Sequence, residues 1–273
     1  MIYCDGTFEK RKNTGRKMKI NLHAHTVRCG HASGTEREFI EEALRVGMTD
    51  FGFSDHTPMP FPEGYSSAGM RMGLEEMDDY ADTVLALRQE YRDRINIYLG
   101  LEVEYYPDLF PKLMKFLEGY PVEYLILGQH CTNNQYDGVW AGAETSDENT
   151  LIKYTDQVIE GLKTGKFIYL AHPDLINYTG DEKTYLSQME RICAYTYDHH
   201  IPLEINLLGI GDGRNYPNPV FWKLVGETGN DVVMGLDAHH VHMIDVPKTE
   251  KIAMEMVKKY GLNLIETPLP KSL

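Results

Sequence analysis

The chain has 273 residues with 27 basic and 41 acidic side chains, a net charge of −14. This balance disfavours nucleic acid and other polyanions unless bound cations reverse the local field, while the length is enough for one sizeable core. Cys4, Cys29, Cys131 and Cys193 are widely spaced, with no Cys-x-x-Cys pair, so neither a disulfide framework nor a zinc ribbon is indicated and a reducing cytoplasm fits.

No apolar run is as long as a membrane span, and residues 1–17 carry Lys10, Arg11, Lys12, Arg16 and Lys17 without an apolar centre. We therefore expect no membrane association, a loose extension over 1–17 rather than a signal peptide, and one domain over 18–273.

The first element is a short apolar strand over 18–22, followed directly by three imidazoles within nine residues, His23, His25 and His31. Residues two apart on an extended chain face the same way, so His23 and His25 are placed to converge on one ion, with His31 arriving from the loop beyond. Thr35 as N-cap with Glu38 three residues later predicts a helix that Gly47 ends. A strand over 49–54 finishes in Asp55-His56, and a Pro/Gly-rich loop over 57–73 leads to an amphipathic helix over 74–91.

A third strand over 95–102 ends in Glu102, and helix returns over 107–117. The fourth strand, 123–128, ends at Gln129-His130, with a polar loop and a helix over 147–162 after it. The fifth, 167–171, ends at His172-Pro173; a helix through Met189 and Tyr197 leads to the sixth, 202–206. A helix over 219–227 precedes the seventh strand, 231–236, which ends at Asp237-Ala238-His239, and 247–260 is the last helix.

Alternating strands and helices with near-continuous apolar strands predict a parallel sheet covered on both faces. Seven strands and no clear eighth predict a distorted (β/α)7 TIM-like barrel. An open doubly wound sheet shares the local pattern, but polar residues at nearly every strand end favour closure, because an open sheet gathers its site at one switch point.

The strand ends supply His23, His25, His31, His56, Glu102, His130, His172, Asp237 and His239. Nine imidazole and carboxylate donors exceed one ion's capacity and predict two or three divalent transition-metal ions, zinc, iron or manganese, with Glu102 as a possible bridge. His199, His200, His240 and His242 are expected to take no ligand role, and Cys29 and Cys131 are read as core thiols.

These motifs resemble the polymerase-and-histidinol-phosphatase (PHP) superfamily in His23-x-His25 with His31, Asp55-His56, Gly100-Leu101-Glu102, His130, His172-Pro173 and Asp237-Ala238-His239. The resemblance implies a PHP-fold phosphoesterase with three ions. One takes His23, His25, Glu102 and Asp237; a second shares Glu102 and adds His130 and His172; a third takes His31, His56 and His239. Residues 54–60, Met70-Arg71-Met72, Glu104-Tyr105 and Gly128-Gln129-His130 look like the monofunctional histidinol-phosphatase branch. Gln129, Leu236 before the Asp, and the loop over 209–214 depart from that branch and bear on the substrate rather than the metals.

The implied reaction is hydrolysis of a small phosphomonoester, histidinol phosphate, by a metal-bridging hydroxide. Glu102, Asp237 and His239 are expected in catalytic roles, and Arg214 and Arg71 as phosphate contacts. A related phosphoesterase acting on a nucleotide or oligonucleotide end is opposed by the acidic balance. An amidohydrolase would place a lysine at a strand end, and none is present. A non-catalytic, metal-stabilised module would have lost ligands.

Overall fold

In the computed structural model, residues 18–67 and 69–268 are described. The extension expected over 1–17 and the last five residues lie outside the described residues.

Eight strands run parallel in sequence order: β1 (Ile20–Asn21), β2 (Asp50–His56), β3 (Asn96–Val103), β4 (Tyr124–Leu127), β5 (Phe167–Leu170), β6 (Leu203–Asn206), β7 (Asp231–Gly235) and β8 (Asn263–Leu264). The sheet curls until its early and late strands meet. Ala24 bridges Ala238 in parallel, and the His25 amide donates to the Ala238 carbonyl at 2.9 Å. Asn21 Oδ1 accepts from the Leu236 amide at 2.9 Å. The distorted barrel expected from seven strands is thus present, with one addition. β8 pairs Asn263 and Leu264 with Asp231 and Val232 at the start of β7. Two residues carry no periodicity, which is why this strand is not legible in the sequence.

The period of two along each strand sorts the side chains into layers. Phe51, Phe53, Leu99, Leu101, Leu125, Leu127, Leu203 and Ile205 join helix residues such as Ile40, Val84, Leu113 and Leu151 in one large core. Their alternates Tyr124, Ile126, Tyr169, Ala171 and Val233 form a separate small cluster with Ile20 and Leu22. This is the filling of the curled sheet. The Tyr124 hydroxyl reaches the Leu22 and Phe53 carbonyls at 2.9 and 3.1 Å. Its ring has room only because β3 carries Gly100, where a Cβ would stand 2.1 Å from it.

The helices are α1 (Glu36–Val46), α2 (Met77–Tyr91), α3 (Phe110–Leu117), α4 (Glu148–Lys163), α5 (Glu182–Asp198), α6 (Leu207–Asp212), α7 (Pro219–Thr228) and α8 (Pro247–Tyr260). The capping box of Thr35 and Glu38 opens α1 as its sequence predicts. α6 departs from expectation, since its glycines read as a loop. Asn206 caps it by accepting from the Gly209 amide, Leu207 and Leu208 are buried, and Gly213 at φ 63° ends it.

Candidate metal centre

The C-terminal ends of the strands carry nine donors into one connected cluster. His23 and His25 leave β1 with ring centroids 5.2 Å apart, and their Nε2 atoms stand 3.5 and 3.0 Å from Asp237 Oδ1. Glu102, at the end of β3 and 2% exposed, is central. Its Oε1 lies 2.8 Å from His172 Nε2 and 3.6 Å from both His23 Nε2 and His130 Nε2. Its Oε2 lies 2.9 Å from His56 Nδ1 and 3.7 Å from His25 Nε2. Space for Glu102 comes from Gly128, where a Cβ would sit 1.9 Å from Oε1.

His172 and Asp237 have positive φ, 28° and 51°. Left-handed backbone at non-glycine residues costs of order 1–3 kcal/mol each and persists where the surroundings enforce it. Here it turns two side chains inward just as their strands end.

Electrostatics bind the cluster together. Burial works to raise the carboxyl of Glu102, but His130, His56 and His23 outweigh it and hold the group well below the ordinary range. Asp237 is held low likewise against its burial, chiefly by His23 and His25. Burial alone would lower His23 and His25, yet Glu204, Asp237 and Glu102 keep His23 well above the usual value, and Asp237 with Asp55 brings His25 to about 9. Desolvation and the charge of His25 depress His56 well below the ordinary value and His239 to about 3.

Several atoms of this cluster are buried without a hydrogen-bond partner: His23 Nε2, both ring nitrogens of His25, Glu102 Oε2 and His172 Nδ1. Orphaned polar atoms of this kind are rare in a folded interior, and they gather around shared points. His239 adds a sharper sign. Its Nδ1 faces the Asp237 carbonyl at 3.0 Å and must donate to it, so the neutral ring presents a bare Nε2. That atom faces His31 Nε2 at 3.1 Å. Two nitrogens bound tetrahedrally to one zinc-like ion stand about 3.3 Å apart. The donors fit divalent metal, and sets such as His23, His25 and Asp237, or His56, Glu102 and His130, each lie within 4.8 Å.

The two expected phosphate contacts separate. Arg214, beyond α6, is exposed; Nη1 donates to the Tyr216 hydroxyl at 3.0 Å and Nη2 to Asp212 at 3.1 Å. Asp237 acts on its charge, and the Tyr216 ring lies 5.9 Å from that of His172, so Arg214 stands at the rim. Arg71 is 4% exposed and its fork is taken by Glu104, the Thr57 carbonyl and Gln135. It supports Glu104, which accepts from His130 Nδ1 at 3.1 Å, rather than facing a ligand. That placement sets Arg71 behind His130, while Arg214 stands apart from it at the rim.

Three carboxylates stand behind the donors, of which the sequence reading quotes Asp55 and Glu104 only as motif residues and gives Glu204 no role. Glu104 backs His130, Asp55 lies 3.5 Å from His25 Nδ1, and Glu204 accepts from His23 Nδ1 at 2.8 Å. Glu104 follows Glu102 by two and shares its face, a usable signal. Glu204 was marked by being acidic between Leu203 and Ile205 on a strand buried on both sides. Trp140 lies parallel to His130 at 5.5 Å and 42% exposed, on the rim. His240 and His242 stack on each other, and His240 Nδ1 pairs with Ser33.

Residues 21–207 match the PHP domain family. A Deinococcus radiodurans protein named a probable histidinol-phosphatase is 30% identical over 231 residues, which span 80% of this chain and 85% of that one. The Bacillus subtilis histidinol-phosphatase is 33% identical over 105 residues, 37% of this chain and 39% of its own. In fold, the chain is similar to a histidinol phosphate phosphatase of Lactococcus lactis solved with zinc, L-histidinol and phosphate. The TM-score is 0.70 at 17% identity, over 91% of this chain and 95% of that one. The domain match over most of the chain, laid on this curled parallel sheet with its donor-lined rim, makes the chain a member of the PHP family.

Proposed function

We propose that the chain is a divalent-metal-dependent phosphomonoesterase that hydrolyses histidinol phosphate to histidinol and phosphate. The observation that carries this reading is the convergence of seven imidazoles and two carboxylates with orphaned, buried donor atoms on one rim. Relatives named for that activity, similar over most of both chains, support the substrate.

Two or three ions of the zinc, iron and manganese class are assigned to three sets: His23, His25, Glu102 and Asp237; Glu102, His130 and His172; and His31, His56 and His239. When bound, the ions supply positive charge against the phosphoryl oxygens and acidify a water for attack. Glu102 presents one oxygen toward His23, His130 and His172 and the other toward His25 and His56, which suits a bridging ligand. Asp237 is held ionised by His23 and His25, which suits an anionic ligand of the first set. His239 lines the reacting face beside it, with Nδ1 3.4 Å from Asp237 Oδ1. Arg214 exchanges its exposed partner Asp212 for substrate phosphate.

From residue 18 onward the chain acts as one catalytic unit. We place it in the cytoplasm, where Cys29, Cys131 and Cys193 persist as the free thiols seen here. No helix of the described residues is long and apolar enough to cross a membrane. Turnover of a phosphomonoester panel by metal-analysed protein tests the reading. Histidinol phosphate is expected as the best substrate; absence of phosphatase activity in metal-replete protein would overturn it.

A further inference from the structure

Glu204 lies in β6 with no exposed surface, and its ion pair among the described residues is with an imidazole, not a lysine or arginine. A buried carboxylate is costly unless its acceptor sites are filled. They are filled by parts of the metal centre. Oε1 accepts from His23 Nδ1 at 2.8 Å. Oε2 accepts from the His172 amide at 3.1 Å and from Asn206 Nδ2 at 3.0 Å. The same Asn206 nitrogen reaches Asp237 Oδ2 at 3.0 Å, and its Oδ1 is held by the Gly209 amide.

One side chain on β6 therefore touches the segments that follow β1 and β5 directly, and reaches the one after β7 through Asn206. The fold makes room for it: a Cβ at Gly235 would stand 1.8 Å from Glu204 Oε1. The His172 amide it receives belongs to a residue at φ 28°, a conformation that needs enforcement.

We propose that Glu204 is a positioning residue for the metal centre. It fixes His23 as the Nδ1–H tautomer, leaving Nε2 bare on the side of Glu102 and Asp237, and it holds His172 and Asp237 in ligating posture. A carboxylate is required because three donors point at its two oxygens. An amide in its place turns an NH₂ toward at least one donor, whichever way it is flipped. This inference rests on the reading of the cluster as a metal centre.

The test uses the full chain, stripped and then titrated with zinc against a competing chelator. Glu204→Gln is expected to keep the parent circular dichroism and elution volume while zinc affinity falls about 10- to 100-fold, as with other groups that orient metal ligands. Glu204→Asp, which keeps the charge and both acceptors, is expected to recover part of that loss. Unchanged zinc affinity in a folded Gln variant overturns the inference. If that variant does not fold, nitrogen-15 NMR of the zinc-loaded parent decides. His23 protonated at Nδ1 supports the inference, and His23 protonated at Nε2 overturns it. A parent that binds no zinc overturns the metal-centre reading and the inference together, whereas a loaded parent beside an indifferent Gln variant overturns the inference alone.

Discussion

Arg71 and Arg214 carry the same charge, yet their surroundings assign them different work. Arg71 neutralises the buried Glu104 behind His130. Removing it strands a carboxylate in the interior, so Arg71→Ala is expected to cost about 3–5 kcal/mol in denaturant unfolding. Arg214 pairs with an Asp212 that is 45% exposed, a contact of small worth that substrate phosphate can replace. Arg214→Ala should therefore lower kcat/KM for histidinol phosphate about ten- to a hundredfold, with metal content unchanged by elemental analysis. An Arg214 variant with parent kcat/KM would leave phosphate binding to the ions. Glu102→Gln tests the centre itself: a neutral amide balances two cations poorly, so bound metal per chain is expected to drop along with turnover. Full metal content there would remove Glu102 from the bridging position.

At the scale of elements, what the sequence discloses is what depends on spacing along one strand. His23 and His25 converge as their separation of two requires, and the polar ends of the second to seventh strands gather on one rim because parallel strands end together. What depends on neighbours across strands is hidden. Glu204 shows as an odd acid in an apolar strand, but its partners His23 and His172 come from elements far away in the chain. The same holds for Tyr124, an ordinary strand aromatic whose ring occupies the space left by Gly100. Gly100→Ala should destabilise by overpacking, about 1–3 kcal/mol. Tyr124→Phe, which removes only the hydroxyl at the Leu22 and Phe53 carbonyls, should cost about 0.5–1.5 kcal/mol. Denaturant midpoints that reverse this order would mean that the hydroxyl, not the ring volume, fixes the floor beneath the centre.

For the whole molecule, the cluster predicts opposite responses to pH with and without metal. In the metal-free protein His25 is raised from 6.5 to about 9, with His23 raised likewise. A group whose folded pKa is raised stabilises fully below its unfolded value, and that contribution is lost as pH climbs through the folded value. His56 and His239 are depressed, so their contribution is lost on the acid side, as pH falls below about 6.5. Glu102 and Asp237, also depressed, lose theirs only below the ordinary carboxylate range. Metal-free protein should therefore be most stable near pH 6.5 and weaken toward pH 9. A shift of this size at His25 is worth about 3 kcal/mol, or roughly 6–12 °C in Tm for a chain of this length. Metal reverses the slope, because every proton lost from His23 and His25 frees a ligand and tightens binding that stabilises only the folded state. Thermal unfolding of stripped and zinc-loaded protein from pH 6.5 to 9 should give a falling Tm for the first and a rising or level Tm for the second. Parallel falling curves would mean that zinc does not displace the protons of His23 and His25, and the set containing them would not be a metal site.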